Sequence, residues 1–195
     1  AAGPGLSKRK IRNALLILGV LVFSKYFYIA SMTNYFTFFL MEKFSMSVQG
    51  AQYALFAFLA ASAAGTFIGG PVGDRIGRKY VIWGSILGAA PFTLMLPYAG
   101  LTGTIVLAVV IGLVISSAFS AILVYATDLM PGKVGMIAGV FFGLMFGLGG
   151  LGSAFFGWLA DRTSIEFIFR VSTLLPLLGI ITGFLPNIEL KRDEK

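Results

Sequence analysis

The stretch Gly70-Pro71-Val72-Gly73-Asp74-Arg75-Ile76-Gly77-Arg78-Lys79 places one carboxylate, three cations and the glycines of a tight reversal between two long apolar runs. Gly73 and Gly77 permit the chain to turn back on itself. Asp74 is placed to accept hydrogen bonds from the amino terminus of the next helix, and the arginines are long enough to bridge helices. A contact of this kind can hold a bundle in one conformation, so Gly70, Gly73, Asp74, Arg75, Gly77 and Arg78 are expected to act together as a conformational latch. The simpler alternative is a turn with three cations that anchor it on one side of a membrane; it explains the charge but not the order of the residues.

The stretch has an echo in Gly157-Trp158-Leu159-Ala160-Asp161-Arg162-Thr163-Ser164. Around both copies lie apolar runs at about 11–40, 48–72, 80–101, 104–129, 133–160 and 165–187. Each is long enough for a helix to cross a hydrocarbon layer about 30 Å thick. None alternates polar and apolar residues as a membrane barrel requires, whereas a helix satisfies its own backbone in lipid. The expectation is an all-α membrane protein, with a basic cytoplasmic linker over 1–10, a six-helix transmembrane bundle over 11–187 and a charged cytoplasmic tail over 188–195. The motif and its echo end helices three apart, an odd number. The copies therefore face opposite sides of the membrane, the pattern of an inverted three-plus-three repeat.

Composition excludes the main alternatives. Of 195 residues, 57% are hydrophobic and 12% charged, and the mean hydropathy is +0.91, which rules out a water-soluble globule. The net charge of +7 belongs to membrane topology rather than to nucleic acid. Lys8, Arg9, Lys10, Arg12, Arg75, Arg78, Lys79, Lys133, Lys191, Arg192 and Lys195 all fall on one side of the proposed spans, against Lys43 and Arg162 on the other. Cytoplasmic loops hold the positive excess, so both termini are expected to be cytoplasmic. With no Cys and no His, the chain lacks thiol nucleophiles, imidazole bases and most metal-ligand sets, and neither a metal site nor an enzyme activity is expected. Gly147-Leu148-Gly149-Gly150-Leu151-Gly152 matches a dinucleotide fingerprint but lies inside an apolar span with no strand before it, so it is rejected. The chain opens at Ala1 with neither an initiator Met nor a signal peptide, and is expected to be a piece of a longer protein.

Two helices carry stripes of small residues: Ala57, Ala61, Gly65, Gly69 and Gly73 in the second span, and Gly135, Gly139, Gly143 and Gly147 in the fifth. In lipid such stripes let backbones approach, either for static packing or for sliding during a transport cycle.

Lys25 lies roughly 18 Å along a helix from Asn13, near the middle of the bilayer. An ammonium there costs on the order of 2.5–3.5 kcal/mol on insertion scales and should face a cavity or a partner. Steps of about 100° per residue bring Tyr28, Met32 and Tyr35 onto the same face. One cation with two phenols, Tyr28 and Tyr35, suits an anionic or zwitterionic substrate with an apolar part, and a wet hollow is expected beside them. The alternatives are a structural ion pair with a carboxylate outside this chain, or an uncharged amine. Ser117 and Ser120, on one face with Asp128 and near Ser116 and Tyr125, are further candidates for lining that hollow, although serine in a membrane helix often bonds a neighbouring backbone. Glu166 and Arg170 are spaced as a structural i,i+4 pair.

The motif at 70–79 resembles the signature between the second and third helices of each half of major facilitator superfamily transporters. With Phe23-Ser24-Lys25-Tyr26-Phe27-Tyr28, Gly69 through Pro97, and Ala118-Phe119-Ser120-Ala121-Ile122-Leu123-Val124-Tyr125, the chain is similar to the carboxy-terminal half of bacterial drug exporters of that superfamily from about Ile11 to Pro186. The resemblance implies one half of a twelve-helix antiporter of the inner membrane, exporting fosmidomycin-like anionic compounds in exchange for protons by alternating access. It implies no cofactor beyond the proton gradient, a small-molecule drug as substrate, lipid around the bundle, and an amino-terminal six-helix half as partner, against which Asp74 and Arg75 would latch. The acidic residues associated with proton coupling would lie mainly in that other half. Two alternatives stand beside this: a half-size protein that pairs with a second copy, or a membrane subunit that does not transport.

Overall fold

A computed structural model describes residues 6–186, and all regular structure among them is helical. The helices are α1 (Lys8–Phe44), α2 (Val48–Ile76), α3 (Arg78–Met95), α4 (Leu101–Ser116), α5 (Ala118–Leu129), α6 (Val134–Ala160) and α7 (Ile165–Ser172). A 3-10 stretch, Leu175–Phe184, completes the last span. Together they provide six segments long and apolar enough to cross a membrane. Ser7, Ser47 and Ser164 cap α1, α2 and α7 by accepting from the backbone N–H three residues on, which satisfies amides that helix starts leave open.

The first helix organises the bundle. Its first half buries Leu18, Leu21 and Val22 against α3, α5 and α6, and its second half buries Tyr28, Met32, Phe36 and Phe39 against α2, α4 and α7. Lys25 sits at the junction of these two apolar cores.

Close approach is concentrated between α2 and the α4–α5 segment. A Cβ on Gly65 would lie 2.1 Å from the Leu113 carbonyl oxygen, and one on Gly69 2.0 Å from that of Ser117. Only glycine admits such contact, so this stripe is closed within the bundle. The stripe on α6 is different: Gly135, Gly139, Gly143 and Gly147 meet nothing within 4 Å.

Charged groups sort to the two ends. Arg78 and Asp128 meet at one end, where Lys79 Nζ also donates to the Gly183 carbonyl at 3.2 Å. At the other end Lys43 donates to the Pro97 and Ala99 carbonyls, and Arg170 pairs with Glu166 at 2.8 Å, as their spacing predicts.

The spans expected over 104–129 and from 165 are both present, as Leu101–Leu129 and Ile165–Phe184, with local departures from a continuous helix. The span expected over 104–129 has its helix interrupted at Ser117, whose N–H and hydroxyl both donate to Val114, three residues back; the Ser117 carbonyl itself faces Gly69 of α2. The span expected from 165 is α-helical only to Ser172, because Pro176 lacks the amide that would continue the ladder. The motif glycines also divide. Gly77 alone makes the turn, with φ +98°, whereas Gly70 and Gly73 lie within α2, which runs through Pro71 to Ile76. The tail at 188–195 and the first five residues of the linker lie outside the described residues.

Candidate functional site

Two polar features stand out in the apolar bundle. The first is built on the turn at Gly77. Reversal there starts α3 at Arg78, so its guanidinium projects back across the end of α2 and sideways to α5. Its Nη2 donates to Asp74 Oδ1 at 3.2 Å, and its Nη1 pairs with Asp128 Oδ2. One cation thus ties three helices. The latch residues Gly73, Asp74, Gly77 and Arg78 are brought together. Gly73 is buried, and a Cβ on it would lie 3.7–3.9 Å from Arg78 Cγ, Val81 and Ala121, while one on Gly70 would lie 3.7 Å from Ser120 Oγ. Arg75 stands exposed beside them, with no ion pair among the described residues.

Sequence reasoning missed that Asp128 belongs here rather than with Ser117 and Ser120. The available signal was its position at the end of its span, on the side holding the Arg78 cluster. The pair to Asp128 is the shielded one, with side chains 27% and 24% exposed, while Asp74 is 62% exposed. Surface pairs contribute about 0–1 kcal/mol and partly buried charged bonds about 1.5–3 kcal/mol. Asp128→Asn should therefore lower the melting temperature in detergent by several degrees and Asp74→Asn by little, measured side by side.

The second feature is Lys25, which is 1% exposed. It makes no hydrogen bond and no ion pair with any described residue. Its Nζ lies 5.4 Å from the Tyr26 ring centroid and 5.7 Å from that of Phe119. The two ring faces supply the only compensation seen, a cation–π contact. In this conformation the amine is buried, with these two rings beside it. Phe119 in turn packs edge-on against Phe142 of α6, with centroids 6.1 Å apart.

The other expected lining residues do not share one space with Lys25. Tyr28 is fully buried one turn away, and its hydroxyl has no partner. Tyr35 diverges to α6, where its hydroxyl donates to the Ser153 carbonyl at 2.8 Å. Ser117 Oγ meets Ser85 Oγ at 2.7 Å, and the buried Ser120 Oγ, also unpartnered, faces α2. The rings of Tyr26 and Phe119 were invisible to residue-type reasoning, since an aromatic in a membrane span is ordinarily core or lipid contact. Gly147–Gly152 lies inside helix α6, as its rejection as a nucleotide site requires.

The family model for the Major Facilitator Superfamily matches residues 15–195. The chain belongs to the Major Facilitator Superfamily. Among curated relatives it is 62% identical over 182 residues to the fosmidomycin resistance protein of Escherichia coli, an alignment covering 93% of this chain and 45% of that protein. It is 41% identical over 160 residues to the uncharacterized MFS-type transporter YfnC of Bacillus subtilis, covering 82% and 39% respectively. The chain thus spans less than half the length of the relatives it matches. No solved structure matches it. Superfamily membership and six apolar spans make it a multi-pass membrane protein, and the transporter class replaces any enzymatic reading.

Proposed function

We propose that this chain is the carboxy-terminal half of an alternating-access exporter of anionic, fosmidomycin-like compounds, with both termini cytoplasmic and driven by proton exchange across the inner membrane. The observation that carries the proposal is Lys25: an amine midway along the first apolar span, buried in the bundle and lacking any carboxylate partner among the described residues. A bundle gains nothing in stability from such a group, so its counterpart is a visiting anion. Tyr28, whose hydroxyl is buried and unpartnered, orients that anion when the site opens. Tyr35, Ser117 and Ser120 complete the lining once α1 and α5 separate.

The partner is an amino-terminal six-helix half, docked on the open glycine face of α6, with Asp74 and Arg75 latching against it. The motif and its echo make the fold an inverted three-plus-three repeat, and rocking about it alternates access. Proton coupling resides in the other half. Asp128, at the end of its span, is engaged by Arg78, and no described carboxylate lies deep in a span.

The test is fosmidomycin uptake into inside-out vesicles carrying the complete gene product. Uptake should require an imposed proton gradient and collapse on adding a protonophore. Uptake indifferent to the gradient would remove the antiport reading, and absence of uptake would remove the substrate.

A further inference from the structure

A groove of about 790 Å³ lies between α1 and α6. From Lys8 to Phe23 it follows α1 for about 22 Å. Its walls are aliphatic and aromatic, with Leu144 and Leu148 on the α6 side, and its two cations, Lys8 and Arg12, both stand at one mouth. Lys8, Arg12, Gly19, Phe23 and Tyr26 fall within about 60° of arc on α1, by the turn of an ideal helix. Tyr26 lies on the same arc three residues beyond Phe23, where the groove lining on α1 ends, and its ring lies 5.4 Å from Lys25 Nζ. The groove runs from a cationic mouth at Lys8 and Arg12 to Phe23, three residues short of the ring beside the buried amine.

We infer that this groove is a loading site for an anionic amphiphile taken from the cytoplasm, a site distinct from Lys25 and feeding it. Lys8 and Arg12 capture the anion, the apolar walls hold the rest of the molecule, and Tyr26 separates the loaded ligand from Lys25. The volume falls within the roughly 300–1,000 Å³ of pockets that hold drug-sized ligands. A docked second half leaves the groove open, because the uncovered glycine face of α6 is on the order of 130° around that helix from Leu144 and its neighbours. The delivery role rests on the reading of Lys25 given above; binding in the groove does not.

The test has a binding arm and a transport arm, both on the complete protein in nanodiscs or vesicles of zwitterionic lipid. With anilinonaphthalene sulfonate as the probe, Lys8→Gln combined with Arg12→Gln should weaken binding on the order of three- to tenfold at low salt, with the difference shrinking as salt screens the cations. Gly19→Phe, at a position with nothing within 4 Å, should block binding by filling the groove while leaving the melting temperature unchanged. For fosmidomycin, the double variant should raise KM by a similar factor with Vmax unchanged.

Unaltered probe binding in both variants would overturn the site. A wild-type defect that appears only when anionic phospholipid is added, competing with the probe, would identify a lipid as the natural occupant and also overturn it. If Lys25 variants transport normally while the groove variants still lose binding, the loading site survives and the Lys25 reading fails.

Discussion

Lys25→Met is expected to stabilise the bundle while cutting export by about one to two orders of magnitude. The amine has no hydrogen bond and no ion pair among the described residues, so replacing it with an unbranched apolar side chain removes a desolvation cost on the order of 2.5–3.5 kcal/mol, offset in part by the lost contacts with Tyr26 and Phe119. The melting temperature in detergent should rise by a few degrees. Transport should fall on the order of 10–100-fold, since a hydrogen bond to a charged group is worth about 1.5–3 kcal/mol. A residue with a merely structural role would move both readouts downward together. The opposite signs are what separate a binding group from a packing group, and Lys25→Arg should retain part of the transport because the charge is kept.

Gly69→Leu is expected to abolish folding altogether. Its Cβ would lie 2.0 Å from the Ser117 carbonyl oxygen, a backbone atom that cannot rotate away, and α2 would have to separate from α4 and α5. Overpacking in a tight core costs about 1–3 kcal/mol and more where backbone must shift. The loss here should exceed that, because the displaced segment also carries the Ser117 break and the Asp128 contact. Expression and monodispersity in detergent report it directly. Gly143→Leu supplies the contrast: nothing lies within 4 Å of its Cβ, so the bundle should fold normally and melt within a degree or two of the parent. On the docking proposed above, any defect in Gly143→Leu should appear only in the transport of the complete protein.

The contrast between these stripes shows what the sequence discloses. Both repeat a small residue at every fourth position, and the period alone establishes only that a backbone can approach. Which stripe is closed depends on the neighbour, and the neighbour is set by tertiary packing. The six spans were legible because burial in lipid demands long apolar runs, and the motif at 70–79 was legible because its charges interrupt them. The break at Ser117 was not, since Ser116-Ser117 inside an apolar run reads equally well as a continuous helix; there the Ser117 amide and hydroxyl both bond to Val114, where α2 approaches closely at Gly69. Lys25 announced itself by type and depth. That it lies covered by Tyr26 and Phe119, with Tyr35 turned to Ser153, follows from side-chain directions that helical periodicity does not specify. Asp128 was placed on the right helix face but given the wrong neighbours, because the turn at Gly77 decides where Arg78 points.

The central claim is that an ammonium at position 25 becomes reachable and binds the transported anion. The chain contains no cysteine, so Lys25→Cys in an otherwise cysteine-free complete protein offers a direct measurement. Treatment with aminoethyl methanethiosulfonate attaches an ammonium close to where lysine held it, and a neutral methyl reagent blocks the same thiol without charge. Fosmidomycin export should be absent in the variant, return after the aminoethyl reagent and stay absent after the neutral one. Failure of the thiol to react under turnover conditions, or equal recovery with both reagents, would contradict the account.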